Sequence, residues 1–127
     1  MAISFNTSGI YTLKPIEMQE VRKEIYALLV PGEVCVTAFQ TVRDQVVFTD
    51  KRIIAVDVQG LAGKRRSYAS LPYSKVQFFS VQTPGMIELT PDSELTLSFG
   101  NGVDATFRII GNTDIGALAR MIAGFIL

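Results

Sequence analysis

Six cations carry most of the ligand chemistry that this sequence offers: Arg43, the adjacent Lys51 and Arg52, and the run Lys64-Arg65-Arg66. All fall on expected turns or loops. Three neighbouring cations after Gly63 can grip a phosphate or an anionic lipid headgroup through charge-assisted hydrogen bonds. Against that stands the bland reading, a solvated loop. The run lacks the glycine spacing of a phosphate-binding loop and need not precede a helix. Arg52 reads mainly as a turn residue that donates to loop carbonyls or pairs with Asp50 or Asp57.

Nucleophilic and metal chemistry have little to draw on. The chain has no histidine and a single cysteine, Cys35, in the middle of an apolar alternation. A catalytic thiol needs a partner that lowers its pKa, and protein metal sites draw heavily on His or clustered Cys. Asp92 and Glu94 flank a turn, Asp104 falls on the solvent side of a strand, and Asp114 caps a helix. Each has a structural role available. The expectation is a protein that is not an enzyme and carries no cofactor or metal.

The elements that must position these residues follow from periodicity. At 127 residues the chain fits one domain. Residues 1–14 read as an arm docked by scattered apolar side chains, ahead of a single domain over 15–127. Pro15 suits a first helical turn. Met18, Val21, Ile25, Leu28 and Leu29 then recur at helical steps, predicting a helix over 15–29 that Pro31-Gly32 ends. Glu33 to Thr41 alternates as a strand.

Next come two short β-branched runs around Thr49-Asp50-Lys51-Arg52, the pattern of an antiparallel hairpin. Ser67–Leu71, Lys75–Thr83, Met86–Thr90, Glu94–Phe99 and Val103–Ile109 continue the strands, the last two joined by Gly100-Asn101-Gly102. Gly111-Asn112-Thr113-Asp114 caps a final helix over 113–126, apolar on more than one side. The fold class is mainly β (α+β), with about seven antiparallel strands between two helices.

Composition narrows the partners. Twelve Lys and Arg balance twelve Asp and Glu, which disfavours nucleic acid and makes a membrane partner unexpected. A mean hydropathy of +0.30 with 19% charged residues leaves little charge to cover a free surface. That points to apolar surface buried against other subunits. The start of the chain does not resemble a secretory signal and no apolar run reaches bilayer length, so a cytoplasmic location is expected.

Several stretches taken together resemble the bacterial pleckstrin-homology domain family. They are Leu29-Val30-Pro31-Gly32-Glu33, Arg43-Asp44, Phe48-Thr49-Asp50-Lys51-Arg52-Ile53-Ile54, Asp57-Val58-Gln59-Gly60, Gly63-Lys64-Arg65, Ser70-Leu71-Pro72-Tyr73 and Val81-Gln82-Thr83-Pro84-Gly85. The resemblance implies a PH-like barrel or sandwich capped by its C-terminal helix. It also implies a cyclic homo-oligomer, with five subunits the expected ring, and a polar surface where strands of adjacent protomers meet. Lys75, Gln77, Ser80 and Gln82 are the candidates for that surface. Two functions follow: an interaction scaffold for an unknown protein partner, or a binder of phosphate or anionic headgroups through the six cations.

Overall fold

Among the described residues the β-branched and aromatic runs become strands of one sheet. The computed structural model describes residues 9–59, 64–83, 92–111 and 113–127. In chain order these form β1 (Gly9–Ile16), a 3-10 turn (Met18–Glu20), α1 (Lys23–Tyr26), β2 (Cys35–Gln40), β3 (Gln45–Thr49) and β4 (Arg52–Gln59). There follow β5 (Arg65–Pro72), a second 3-10 turn (Tyr73–Lys75), β6 (Phe78–Gln82), β7 (Ser93–Gly100), β8 (Val103–Ile109) and α2 (Ile115–Ile126). The sheet runs β5-β4-β3-β2-β1-β8-β7-β6. Its ladders are antiparallel except that β1 lies parallel to β8, Gly9 opposite Ala105 and Leu13 opposite Ile109.

The sheet thus has eight described strands where about seven were expected. The added one is β1, which occupies part of the expected arm and the start of the expected N-terminal helix. Pro15 sits in a strand, opposite Phe39. The helix over 15–29 is not formed. In its place are a 3-10 turn, an extended break at Val21 and Arg22, and one turn of α-helix. Gln45 causes the break: its side-chain amide donates to the Glu20 carbonyl (2.9 Å) and accepts from the Arg22 N–H (2.9 Å). Backbone groups that a continuous helix would pair internally are therefore held by a side chain from β3. The apolar spacing still reports the buried face, since Val21 and Ile25 are buried.

Two apolar clusters lie on opposite faces of the β2–β4 region. Val21 and Ile25 cover Ala38, Val47, Ile54 and Val56 on one face. On the other, Phe39, Val46, Phe48, Ile53 and Ala55 join Leu95, Leu97, Phe107 and Ile109, with Ile115, Leu118 and Ile122 of α2 packed among them. Phe48 makes edge-on contacts with both Phe39 and Phe107, at centroid distances of 5.5 and 6.2 Å. Because β3 contributes to both clusters, it is buried throughout, which explains its unbroken apolar run.

Asp114 caps α2 as its sequence suggests, accepting from the Ala117 N–H at 3.0 Å. Gly100, Asn101 and Gly102 all take positive φ, between 55° and 83°, and turn β7 into β8. The expected strand over Met86–Thr90, the Gly60–Gly63 part of the basic loop and residues 1–8 of the arm lie outside the described residues.

Candidate functional site

The β3–β4 hairpin is built around a carboxylate that the sequence reading did not pair with it. Thr49 ends β3, Arg52 starts β4, and Glu33 approaches from the loop before β2. The guanidinium of Arg52 grips Glu33 with a fork, Nε to Oε2 at 2.9 Å and Nη2 to Oε1 at 3.0 Å. Its other contacts run from Nη2 to the Leu28 carbonyl at 2.6 Å and from Nη1 to the Ser70 hydroxyl at 2.9 Å. The Glu33 side chain is wholly buried, and that of Arg52 only 19% exposed.

Thr49 donates its hydroxyl to Glu33 Oε2 (2.6 Å) and accepts from the N–H groups of Lys51 and Arg52. The Val30 N–H completes the carboxylate's partners at 3.0 Å. Asp50 works on the backbone, accepting from the Val34 N–H at 2.9 Å. The expected pairing of Arg52 with Asp50 or Asp57 is therefore corrected to Glu33; its donation to a loop carbonyl is as expected.

The electrostatics follow from this geometry. Burial alone raises the Glu33 carboxyl pKa, but hydrogen bonds from Arg52, Thr49 and the Val30 N–H, with the Arg52 charge, bring it down to about 2. Burial, then the Glu33 charge, pushes the Cys35 thiol up, so it stays protonated and poorly nucleophilic at neutral pH. Tyr73 donates to the Thr49 carbonyl at 2.7 Å and stacks on Phe125 of α2 at 5.4 Å. Burial, then the charges of Asp50 and Glu33, raise its hydroxyl. Among the described residues no cluster of His, Cys, Asp or Glu is arranged to hold a metal.

The six candidate cations do not converge. Lys51 and Arg52 stand at the β3–β4 turn, where Lys51 is exposed and Arg52 is committed to protein acceptors. Arg43, Lys64, Arg65 and Arg66 belong to the other end of the same strands, as the pairing of Gln59 with Arg65 and Val58 with Arg66 requires. There the Asp44 carboxylate accepts from the Val58 N–H at 2.8 Å, and Arg66 pairs with Glu24 at 2.7 Å. A residue not singled out in the sequence joins them: Arg22 donates from Nη2 to the Arg43 carbonyl at 3.1 Å. It stands outside the apolar spacing of the expected helix over 15–29, at the break that Gln45 holds.

The candidate partner surface is divided. Ser80 and Gln82 are exposed on β6, the last strand in the order of the described sheet, opposite Thr96 and Glu94. Lys75 is exposed but ends a 3-10 turn instead of lying in a strand. Gln77 bonds through its N–H to the Ser98 carbonyl, and its side chain lies over Gly100, 2.7 Å from where a Cβ would stand. Its position supports the β7–β8 turn.

An eight-stranded sheet folded around a core that a C-terminal helix completes defines a pleckstrin-homology-like fold. The chain belongs to the bacterial PH domain family, whose sequence pattern matches residues 4–126. Among relatives, it is 47% identical over 77 residues to the uncharacterized protein YjqA of Bacillus subtilis and 37% identical over 75 residues to YozO of the same organism. These stretches cover 61% and 59% of this chain but only 60% and 63% of the relatives' own length.

Solved structures agree. A DUF1696-family protein with a pleckstrin-homology domain from Shewanella loihica superposes with a TM-score of 0.76 at 31% identity, covering 92% of this chain and 99% of its own. A pleckstrin-homology domain from Shewanella amazonensis gives 0.63 at 33%, covering 88% and 90%. A PH-domain protein from Exiguobacterium sibiricum shares the fold at 17% identity, with a TM-score of 0.68 over 91% of this chain and 62% of its own.

Proposed function

We propose that this PH-like module is a non-catalytic interaction scaffold that assembles with copies of itself into a closed ring and presents polar strand surfaces to a protein partner in the cytoplasm. The observation that carries the reading is that, among the described residues, the two ends of the sheet order are different strands, β5 and β6, each paired on one side. Their outer residues include Tyr68, Phe78 and Val81, 39%, 59% and 37% exposed. Open edges with apolar side chains recruit another strand. Joining two unlike edges is a heterologous contact, which closes into a ring when the rotation per subunit divides a full turn. Five subunits is the ring size this reading takes from the family resemblance. Ser80 and Gln82 then lie beside the junction, where a partner contacts two protomers at once.

Sedimentation velocity on the full chain at micromolar concentration tests this. The expected result is one species several times the 13.9 kDa protomer, shifted towards monomer by Phe78→Asp with the circular dichroism spectrum unchanged. A wild-type monomer overturns the proposal.

A further inference from the structure

The sheet opens where β1 and β2 part. Among the described residues β1 pairs with β2 from Lys14 to Ile16, against Gln40 to Ala38. Beyond Gln40 the chain turns into β3, the Thr41 N–H donating to the Asp44 carbonyl at 2.9 Å. β1 meanwhile lies along β8 from Gly9 to Leu13. Thr12 and Leu13 thus have β8 on one side and, on the other, a turn in place of a strand. The gap is an open cleft of about 530 Å³, within the range of about 300–1,000 Å³ found for small-molecule sites.

Its lining combines two chemistries. Leu13 is buried, Ile110 is 38% exposed, and Val42, in the β2–β3 turn, is fully exposed. Val42 covers nothing within the chain, so its methyl groups are free to pack against a ligand. Alternation sets Thr12 and Lys14 on the face opposite Leu13, and the register places Gln40 directly beside Lys14. The ion pairs of the described residues join Arg52 to Glu33, Arg66 to Glu24 and Arg108 to Glu94. Lys14 belongs to none of them. Arg108, opposite Thr12, is held by Glu94 at 2.9 Å.

We propose that this cleft is a binding site for an amphipathic monocarboxylate. Its apolar body rests on Val42 and Ile110, and its carboxylate meets the Lys14 ammonium with the Gln40 amide as a neighbouring donor. One unpaired ammonium with neutral donors matches a single negative charge; a phosphate dianion calls for further cations, and Arg108 is already engaged. Burial of the apolar body supplies affinity that an exposed ion pair alone does not. The cleft is built on β1, β2 and β8 from the middle of the sheet order, so it is independent of assembly through β5 and β6. The body is a linear acyl chain or an aromatic ring.

Titrations of the full chain, followed by amide NMR shifts, test the site and separate these sources. Octanoate and phenylbutyrate are the probes; acetate and octanol are the controls that keep only the charge or only the apolar body. Saturating shifts are expected at Thr12, Lys14, Gln40, Val42 and Ile110. Lys14→Gln weakens binding about threefold to fivefold, the scale of a partly exposed ion pair. Val42→Ser weakens it about fivefold through lost apolar contact. Lys51→Gln, exposed at the β3–β4 turn, leaves it unchanged.

Tighter binding of octanoate supports the acyl source, and tighter binding of phenylbutyrate the aromatic one. Acetate that binds as tightly as either probe overturns the proposal, as does octanol that matches octanoate. Either site variant with wild-type affinity for both probes also overturns it. Should Lys14→Gln alter the circular dichroism spectrum, Val42→Ser, at a position that packs on nothing, decides the matter.

Discussion

Glu33 is charged inside the protein because four donors hold it so, and that makes it an acid-sensitive contact. Its carboxyl lies at about 2 against an ordinary 4.5. As pH falls, the unfolded chain takes up this proton first. The stabilisation is therefore complete above about 4.5 and lost as pH approaches 2, a difference of about 3 kcal/mol. Urea unfolding at successive pH values should show this acid limb, and Glu33→Gln should flatten it. Arg52→Leu leaves the carboxylate buried without its partner and should cost about 3–5 kcal/mol at neutral pH, read by the same unfolding curves. Tyr73 works at the alkaline end. Its hydroxyl is held protonated by burial, so its tyrosinate absorbance should appear only with unfolding, and stability should fall as pH rises past the ordinary 10.0. The sequence marked Arg52 as structural but supplied it with local aspartates. Its partner stands 19 positions away, a distance that only strand pairing removes.

Among the elements, β2 to β5, β7, β8 and the last helix were legible, whereas β1 and the broken first helical segment were not. Alternation and turn chemistry report which face each residue presents, and the β3–β4 and β7–β8 hairpins form where that chemistry places them. The apolar spacing from Met18 to Leu29 also reports its buried face truthfully, but a face is compatible with several backbones. What decides between them is Gln45, a polar residue at the start of β3 whose amide occupies the break at Val21 and Arg22. Gln45→Ala should leave these backbone groups unpaired and cost about 1–3 kcal/mol, measured by urea unfolding. Gly100→Ala tests a different element. It meets both a φ of +83° and the Gln77 side chain, so it should destabilise the β7–β8 hairpin by about 1–2 kcal/mol or more by the same measurement.

For the whole molecule, the sequence reading anticipated a mainly β, PH-like fold with a C-terminal helix, and the structure and family agree. It did not anticipate that the first described strand lies in the interior of the sheet order. β1 stands between β2 and β8, and its parallel ladder to β8 joins Gly9 to Ala105. Such a pairing belongs to the most distant contacts a chain this size can make, and closing so large a loop is slow. During synthesis the β2–β5 meander is complete long before β8 exists, so β1 is left with half of its neighbours until nearly the entire chain has been made. In refolding followed by pulsed hydrogen exchange, the amides of β1 facing β8 should gain protection together with β8 and later than those of the β3–β4 hairpin. The first described strand is thus among the last to find its place.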